Sequence, residues 1–286
     1  MWLIFAILSA VFAGVTSILA KCGLQNVDST VATAFRTVVA MLFAWAIVMI
    51  SGTYTQMGTI DAQTWMFLIL SGLATGASWL CYFKALQIGD VNKVVPVDKS
   101  STVLGIMLAI MFLGETLTIP GIIGVVLILV GTMLMIEKKD VKEMDHKGSS
   151  WLFFAIGSAV FAAMTSILGK VGMEGIDSNL GTAIRTVVVL VMSWVMIYVS
   201  HKQDKMHGIG RRDMTFIIFS GLATGLSWMF FFGALQMGPA SVIIPIDKLS
   251  ILVTIIFSYI VFGERLSKKS AVGLAGIVAG TLLLLV

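Results

Sequence analysis

Charge is scarce in this chain of 286 residues. Asp, Glu, Lys and Arg make up only 12% of it, about half the share of 25% usual in a soluble domain. Hydrophobic residues make up 58% and the mean hydropathy is +1.01, so water is not the main solvent for this fold. Cysteine is nearly absent. Cys22 and Cys81 do not recur in the second half of the chain, where Val171 and Phe230 stand, and they suggest neither a disulfide framework nor a metal site. The three histidines, His146, His201 and His207, all lie between apolar runs. There is no HExxH, no phosphate-binding loop and no Ser/His/Asp set, so the expectation is no enzyme, no metal and no cofactor. The basic residues, which give a net charge of +4, sit in short links between apolar runs, a pattern that does not imply nucleic acid.

What is present is apolar length. A helix needs about 20 mostly apolar residues to cross a bilayer. Ten such runs stand out, at 2–20, 30–50, 65–86, 94–113 and 121–136, then 151–169, 180–199, 214–235, 242–262 and 271–286. The first lacks a basic leader and a distinct cleavage site, so it reads as a transmembrane helix rather than a signal peptide. The fold class expected is an all-α membrane protein with ten transmembrane helices.

The chain also repeats itself. "SGLATGASW" begins at Ser71 and "SGLATGLSW" at Ser220, 149 residues later. At that offset, without a gap, 56 of the 136 positions from 2 to 137 meet an identical residue, counted along the sequence. "TSIL" at Thr16 returns at Thr165, "RTVV" at Arg36 returns at Arg185, and Pro96, Asp98 and Lys99 return as Pro245, Asp247 and Lys248. One register held through five runs and their links is internal duplication. The domains read as 1–137 and 150–286, joined by a charged link at 138–149. Five spans is an odd number, so the second half must be upside down relative to the first: an inverted-topology repeat. Fourteen Lys and Arg residues fall on one face in this topology, only Lys170 falls on the other, and four (Arg36, Lys99, Arg185, Lys248) lie within spans. Basic residues favour the cytoplasm, which puts both termini outside a multi-pass cell-membrane protein.

The charges inside the spans are the candidate site. An ionised side chain in a membrane helix is costly and should face protein, water or a partner. Asn92 and Ser241 are read as helix N-caps, which puts Asp98 and Asp247 roughly 9 Å into their spans at about 1.5 Å per residue. Asp98, Lys99, Asp247 and Lys248 head small polar stripes that fit either a pathway or a structural ion pair with Arg36 or Arg185. The arginines never lose their proton and need partners, whether a carboxylate, helix-end carbonyls or an anionic substrate group. Thr16 and Thr165 belong to small polar faces of spans one and six. Trp79 and Trp228 suit packing or substrate stacking. Gly72, Gly76, Gly221 and Gly225 form two GxxxG strips for close helix packing or a hinge, and Pro96 and Pro245 can bend their spans. Glu115 and Glu264 are expected to cap or tie tight loops.

These motifs, the "RTVV" start of span two, the "SGLATGxSW…ALQ" block and the "P-x-D-K…F-x-GE-x-L" run into a glycine-rich fifth span, resemble the EamA family of the drug/metabolite transporter superfamily. The resemblance covers the whole chain, one unit per half, and the ungapped match looks closest to short five-span members, as if two had been fused. It implies a secondary transporter that moves a small metabolite by alternating access. The basic residues are distributed in reverse of the family's usual pattern, so a direction of transport is not carried over. The partners expected are a small-molecule substrate, a coupling proton at Asp98 or Asp247, and the lipid bilayer. Fusion of the halves makes a monomer sufficient. The alternative reading is a flippase of a lipid-linked substrate on the same fold.

Overall fold

The computed structural model describes residues 1–23, 27–89, 91–136, 150–262 and 266–286. The described residues form helices and no strand. In the first half these are α1 (Trp2–Gly23), α2 (Ser29–Ser51), α3 (Ala62–Ile88), α4 (Val91–Lys99), α5 (Ser101–Leu113) and α6 (Ile119–Met135). In the second they are α7 (Ser150–Gly172), α8 (Ser178–Val199), α9 (Arg211–Met237), α10 (Ala240–Lys248), α11 (Ser250–Phe262) and α12 (Lys268–Leu283). Side-chain caps start several of them. Asp28, Asp61, Thr118, Asp177 and Ser267 each accept a backbone N–H of the first turn, which satisfies donors that a helix start leaves open. The link at 138–149 and Glu264 lie outside the described residues.

Among the described residues, eight helical stretches are long and apolar enough to cross a membrane, counting α4 with α5 and α10 with α11 as one stretch each. α6 has 17 residues and α12 has 16, shorter than the length of about 20 that a straight span needs. The expected N-caps are corrected. α10 starts at Ala240 with Pro239 in the cap position, and Ser241 lies inside the first turn. α4 likewise starts at Val91, which places Asn92 inside it. The reason at α10 is a distant residue: Glu115 takes the free N–H groups of Ala240 and Ser241, so no local side chain is needed.

Packing pairs one half with the other. α3 lies on α7 and α9 on α1; α2 lies on α9 and α8 on α3; α1 meets α11 and α7 meets α5. Each of these contacts returns with the halves exchanged, and α2 with α8 and α6 with α12 are equivalent helices in contact with each other. Glycine makes the closest approaches. A Cβ on Gly72 would lie 2.7 Å from the Val188 Cβ, and one on Gly221 would lie 2.5 Å from the Val39 Cβ. Gly76 faces Met192 as Gly225 faces Phe43. Both GxxxG strips are therefore packing surfaces, α3 on α8 and α9 on α2. Between α6 and α12 backbone meets backbone: a Cβ on Gly124 would lie 2.5 Å from the Gly280 oxygen, and one on Gly131 would lie 2.5 Å from the Gly273 oxygen. The partner number falls as the position number rises, so α6 and α12 run antiparallel.

The chain ends of the helices sort into two groups. Lys202 and Lys205, after α8, pair with Asp28, before α2, at 2.9 and 3.5 Å. Gln56, after α2, accepts the Asp177 N–H, before α8. Glu115, after α5, pairs with Lys170 of α7 at 3.3 Å. At each end, connections of one half adjoin connections of the other.

Candidate functional site

α4 and α10 stop just after the Asp-Lys pairs, and α5 and α11 resume after one residue. At the breaks the bonding tightens. Ser100 N–H is shared between the Pro96 and Val97 carbonyls, and Leu249 N–H donates to Ile246 O at 2.9 Å. Such three-residue bonds mark the last turn of a helix. Lys99 and Lys248 therefore stand at helix C-termini, where the partial negative charge of free carbonyls favours a cation. Each aspartate reaches across to the other half. Ser158 Oγ donates to Asp98 Oδ1 and Ser9 Oγ donates to Asp247 Oδ1, both at 2.7 Å. Ser158 and Ser9 occupy equivalent positions, so this pair of bonds is also exchanged between halves.

A cavity of about 290 Å³ is lined by residues of both halves. Its polar wall includes Thr75 and Ser78 of α3, Thr165 and Ser166 of α7, Arg185 of α8, Ser227 of α9, and Asp247 and Lys248 of α10; its apolar wall includes Trp79, Trp228 and Phe231. Arg185 is only 1% exposed. Its Nε donates to Ser71 Oγ at 3.2 Å and its Nη2 to Thr75 Oγ1 at 2.8 Å. Ser71 Oγ donates onward to Thr165 O, and the Thr75 and Thr165 hydroxyls lie 3.2 Å apart. The guanidinium carbon lies 4.1 Å from the Phe232 ring centre and 5.7 Å from that of Trp228. Ring faces attract a cation, so the charge is held by hydroxyls and π-faces.

The equivalent arginine is placed differently. Arg36 donates from Nη2 to Thr33 Oγ1 of its own helix at 3.2 Å. It lines a separate, smaller space of about 170 Å³ with Ser220. Ser220 and Thr224, the equivalents of Ser71 and Thr75, bond Thr16 as those two bond Thr165, with Ser220 Oγ to Thr16 O at 3.3 Å and the Thr16 and Thr224 hydroxyls at 3.4 Å, but without the arginine. One sequence motif thus has two environments in one molecule.

The expected ion pairs between arginine and aspartate are absent among the described residues; the carboxylates take serine hydroxyls and Arg185 takes Ser71 and Thr75. The structure brings Arg185, Thr165, Trp79, Trp228, Asp247 and Lys248 to one cavity. Asp98, Lys99, Arg36 and Thr16 do not line it. Sequence reasoning missed Ser71, Thr75 and Ser78, although their repetition at Ser220, Thr224 and Ser227 was there to be seen.

Glu115 ties one end. Its Oε1 and Oε2 accept from Ala240 and Ser241 N–H at 2.7 and 2.8 Å, and Lys170 adds a hydrogen bond at 3.3 Å. Lys170 also donates to Gly238 O. Burial alone would raise the Glu115 carboxyl, but the bonds from Ser241 and Ala240 and the Lys170 charge outweigh it and hold the carboxyl below its usual range. A lowered carboxylate contributes stability that is present above its unfolded-state pKa and lost as pH falls through the folded value. Glu115→Gln should therefore lower the thermal midpoint at neutral pH by an amount worth about 1 kcal/mol, the usual cost of a lost cap. The difference should close as acid titrates the wild type. A constant difference down to pH 3 would sink this account.

The chain has the likenesses such a site leads one to look for. The model of the EamA-like transporter family matches residues 1–137 and again 149–286. An uncharacterized transporter in the cobO 3' region of Sinorhizobium sp. is 45% identical over 134 residues, which is 47% of this chain and 95% of that protein. That relative is thus about half as long. Human solute carrier family 35 member G1 is 27% identical over 272 residues, covering 92% of this chain and 72% of that protein. A solved crystal structure superposes with a TM-score of 0.79 at 15% identity, over 97% of this chain and 94% of the other, a likeness of fold.

Proposed function

The chain belongs to the EamA-like transporter family, and from that premise we propose that it carries a small solute across the cell membrane by alternating access, the solute binding in the cavity that both halves line. In this reading α6 and α12 complete ten spans, and residues 1–137 and 150–286 are inverted units joined by a cytoplasmic link at 138–149, with both termini outside. The antiparallel crossing of α6 and α12 supports the inversion, as does the adjacency of connections from the two halves at each end.

The observation that carries the mechanism is the pair of arginines. Arg185 bonds across to Ser71 and Thr75, while Arg36, in the same motif, does not reach Ser220 or Thr224. Two inverted units with equivalent sequences and unequal contacts have a second state of similar energy in which the contacts are exchanged. Alternation between the two moves the opening from one face to the other. Asp98 and Asp247, each held by a serine of the opposite half, are the groups through which a proton would bias that exchange, and Gly72, Gly76, Gly221 and Gly225 give the surfaces on which α8 and α2 shift.

Sided labelling tests this. Thr165→Cys, in a chain with Cys22→Ser and Cys81→Ser, should react with an impermeant thiol reagent from one face at a time. A proton gradient should move the reactivity between faces, and Asp98→Asn with Asp247→Asn should remove that response. Simultaneous reaction from both faces would mean a continuous pore and would overturn the proposal.

A further inference from the structure

We propose that the solute carried in this cavity is a small organic anion bearing a single carboxylate on an apolar body. This rests on the alternating-access reading and adds to it the class of solute. The first observation is an orphan. Arg185 Nη1 is, among the described residues, the buried side-chain nitrogen or oxygen left without a hydrogen-bond partner. Its two N–H groups belong to a cation that is 1% exposed and has no carboxylate at ion-pair distance among the described residues. Removing such donors from water without an acceptor is costly, more so on a charged group. A protein keeps that arrangement where an acceptor arrives from outside.

Charge balance gives the second observation. Arg185 and Lys248 line the cavity against one carboxylate, Asp247, whose Oδ1 already accepts from Ser9. One positive charge is left over, which a monoanion neutralises and a dianion exceeds. Lys99 does not enter this balance, because its own neighbour Asp98 lies 3.9 Å away. The third observation is the apolar part of the wall, which stands beside the hydroxyls of Ser78, Ser166 and Ser227. Trp79, Trp228 and Phe231 offer apolar ring surface, and a cavity of about 290 Å³ lies at the lower end of ligand pockets, which run from about 300 to 1,000 Å³. Planar guanidinium N–H pairs suit a carboxylate in particular. Apolar walls favour an acyl or aryl body over a sugar.

The experiment uses the full chain in lipid nanodiscs and follows tryptophan fluorescence, since Trp79 and Trp228 face the cavity. The probes are isovalerate and benzoate, each against its neutral amide, with benzylamine, phenylalanine and inorganic phosphate as further arms. A carboxylate should give a saturable change at a concentration at least tenfold below that of its amide. Arg185→Gln should remove that preference and Arg185→Lys should keep part of it. If Arg185→Gln does not fold, Lys248→Gln serves: it should weaken carboxylates several-fold and leave the amides unchanged. Equal binding of acid and amide, tighter binding of the amine, the zwitterion or phosphate, or no saturable change with any probe would overturn the class of solute. Thr165→Cys labelling that still alternates between faces would then leave the transport mechanism standing; labelling that fails too would remove both.

Discussion

Arg36→Gln and Arg185→Gln should drive the protein in opposite directions. In the state described, Arg185 spends two hydrogen bonds on Ser71 and Thr75 of the other half, whereas Arg36, among the described residues, bonds only Thr33 of its own helix. Removing Arg185 weakens this state selectively, and removing Arg36 weakens the exchanged state. Hydrogen bonds to a charged group contribute about 1.5–3 kcal/mol each, and part of that offsets the burial of the guanidinium. A net bias of about 2 kcal/mol moves the ratio of the two states roughly 30-fold, at tenfold per 1.4 kcal/mol. Thr165→Cys labelling should then report the two variants trapped at opposite faces, each with solute flux reduced by more than an order of magnitude because a carrier must visit both states. Two variants shifted to the same face would sink the exchange. The thermal midpoints guard against a trivial result, since a misfolded variant would lose its transition altogether.

The second large effect concerns stability. Gly131→Leu with Gly280→Leu should separate α6 from α12. A Cβ at Gly131 would lie 2.5 Å from the Gly273 oxygen, and one at Gly280 would lie 2.5 Å from the Gly124 oxygen. These are backbone atoms, so no rotamer change can relieve the clash. Glycine to alanine within a helix normally gains about 1 kcal/mol in propensity, and overpacking costs about 1–3 kcal/mol. With backbone on the far side the steric term wins, and leucine enlarges it. The double variant should lose about 3 kcal/mol or more and unfold many degrees earlier in detergent. Gly58→Ala, at a position where a Cβ meets nothing within 4 Å, should change little. Unaltered stability of the double variant would mean that the seam is not held by close approach.

Composition and periodicity carried the architecture because a bilayer imposes simple demands: apolar length, internal backbone bonding and sparse charge. The helices from Trp2 to Leu283 follow the apolar runs closely. The repeat at 149 residues told more than hydropathy alone, since it named in advance which residues would be equivalent. Less legible was which polar groups would meet. Arg185 was expected to seek a carboxylate, helix-end carbonyls or an anionic substrate group, and within the chain it bonds Ser71 and Thr75. Inside a low-dielectric interior a hydroxyl can serve a cation and a carbonyl at once, and such relays depend on three-dimensional register between helices that sequence spacing does not fix. The cap at Ser241 failed for a related reason: the group that satisfies the start of α10 is Glu115, 125 residues earlier. A local rule cannot see a long-range partner. The unequal surroundings of Arg36 and Arg185 were also invisible, because identical motifs predict identical environments.

The exchange of contacts between halves has a consequence for biosynthesis. α1 finds its main neighbour only in α9, and α3 waits for α7. When α1 enters the bilayer, about 200 residues remain to be translated before α9 is made, which takes roughly 10–40 s at 5–20 residues per second. Through that interval the small polar face of α1, with Ser9 and Thr16, has no native partner to bond it. The nascent first half must be sheltered by the insertion machinery or by another copy of itself.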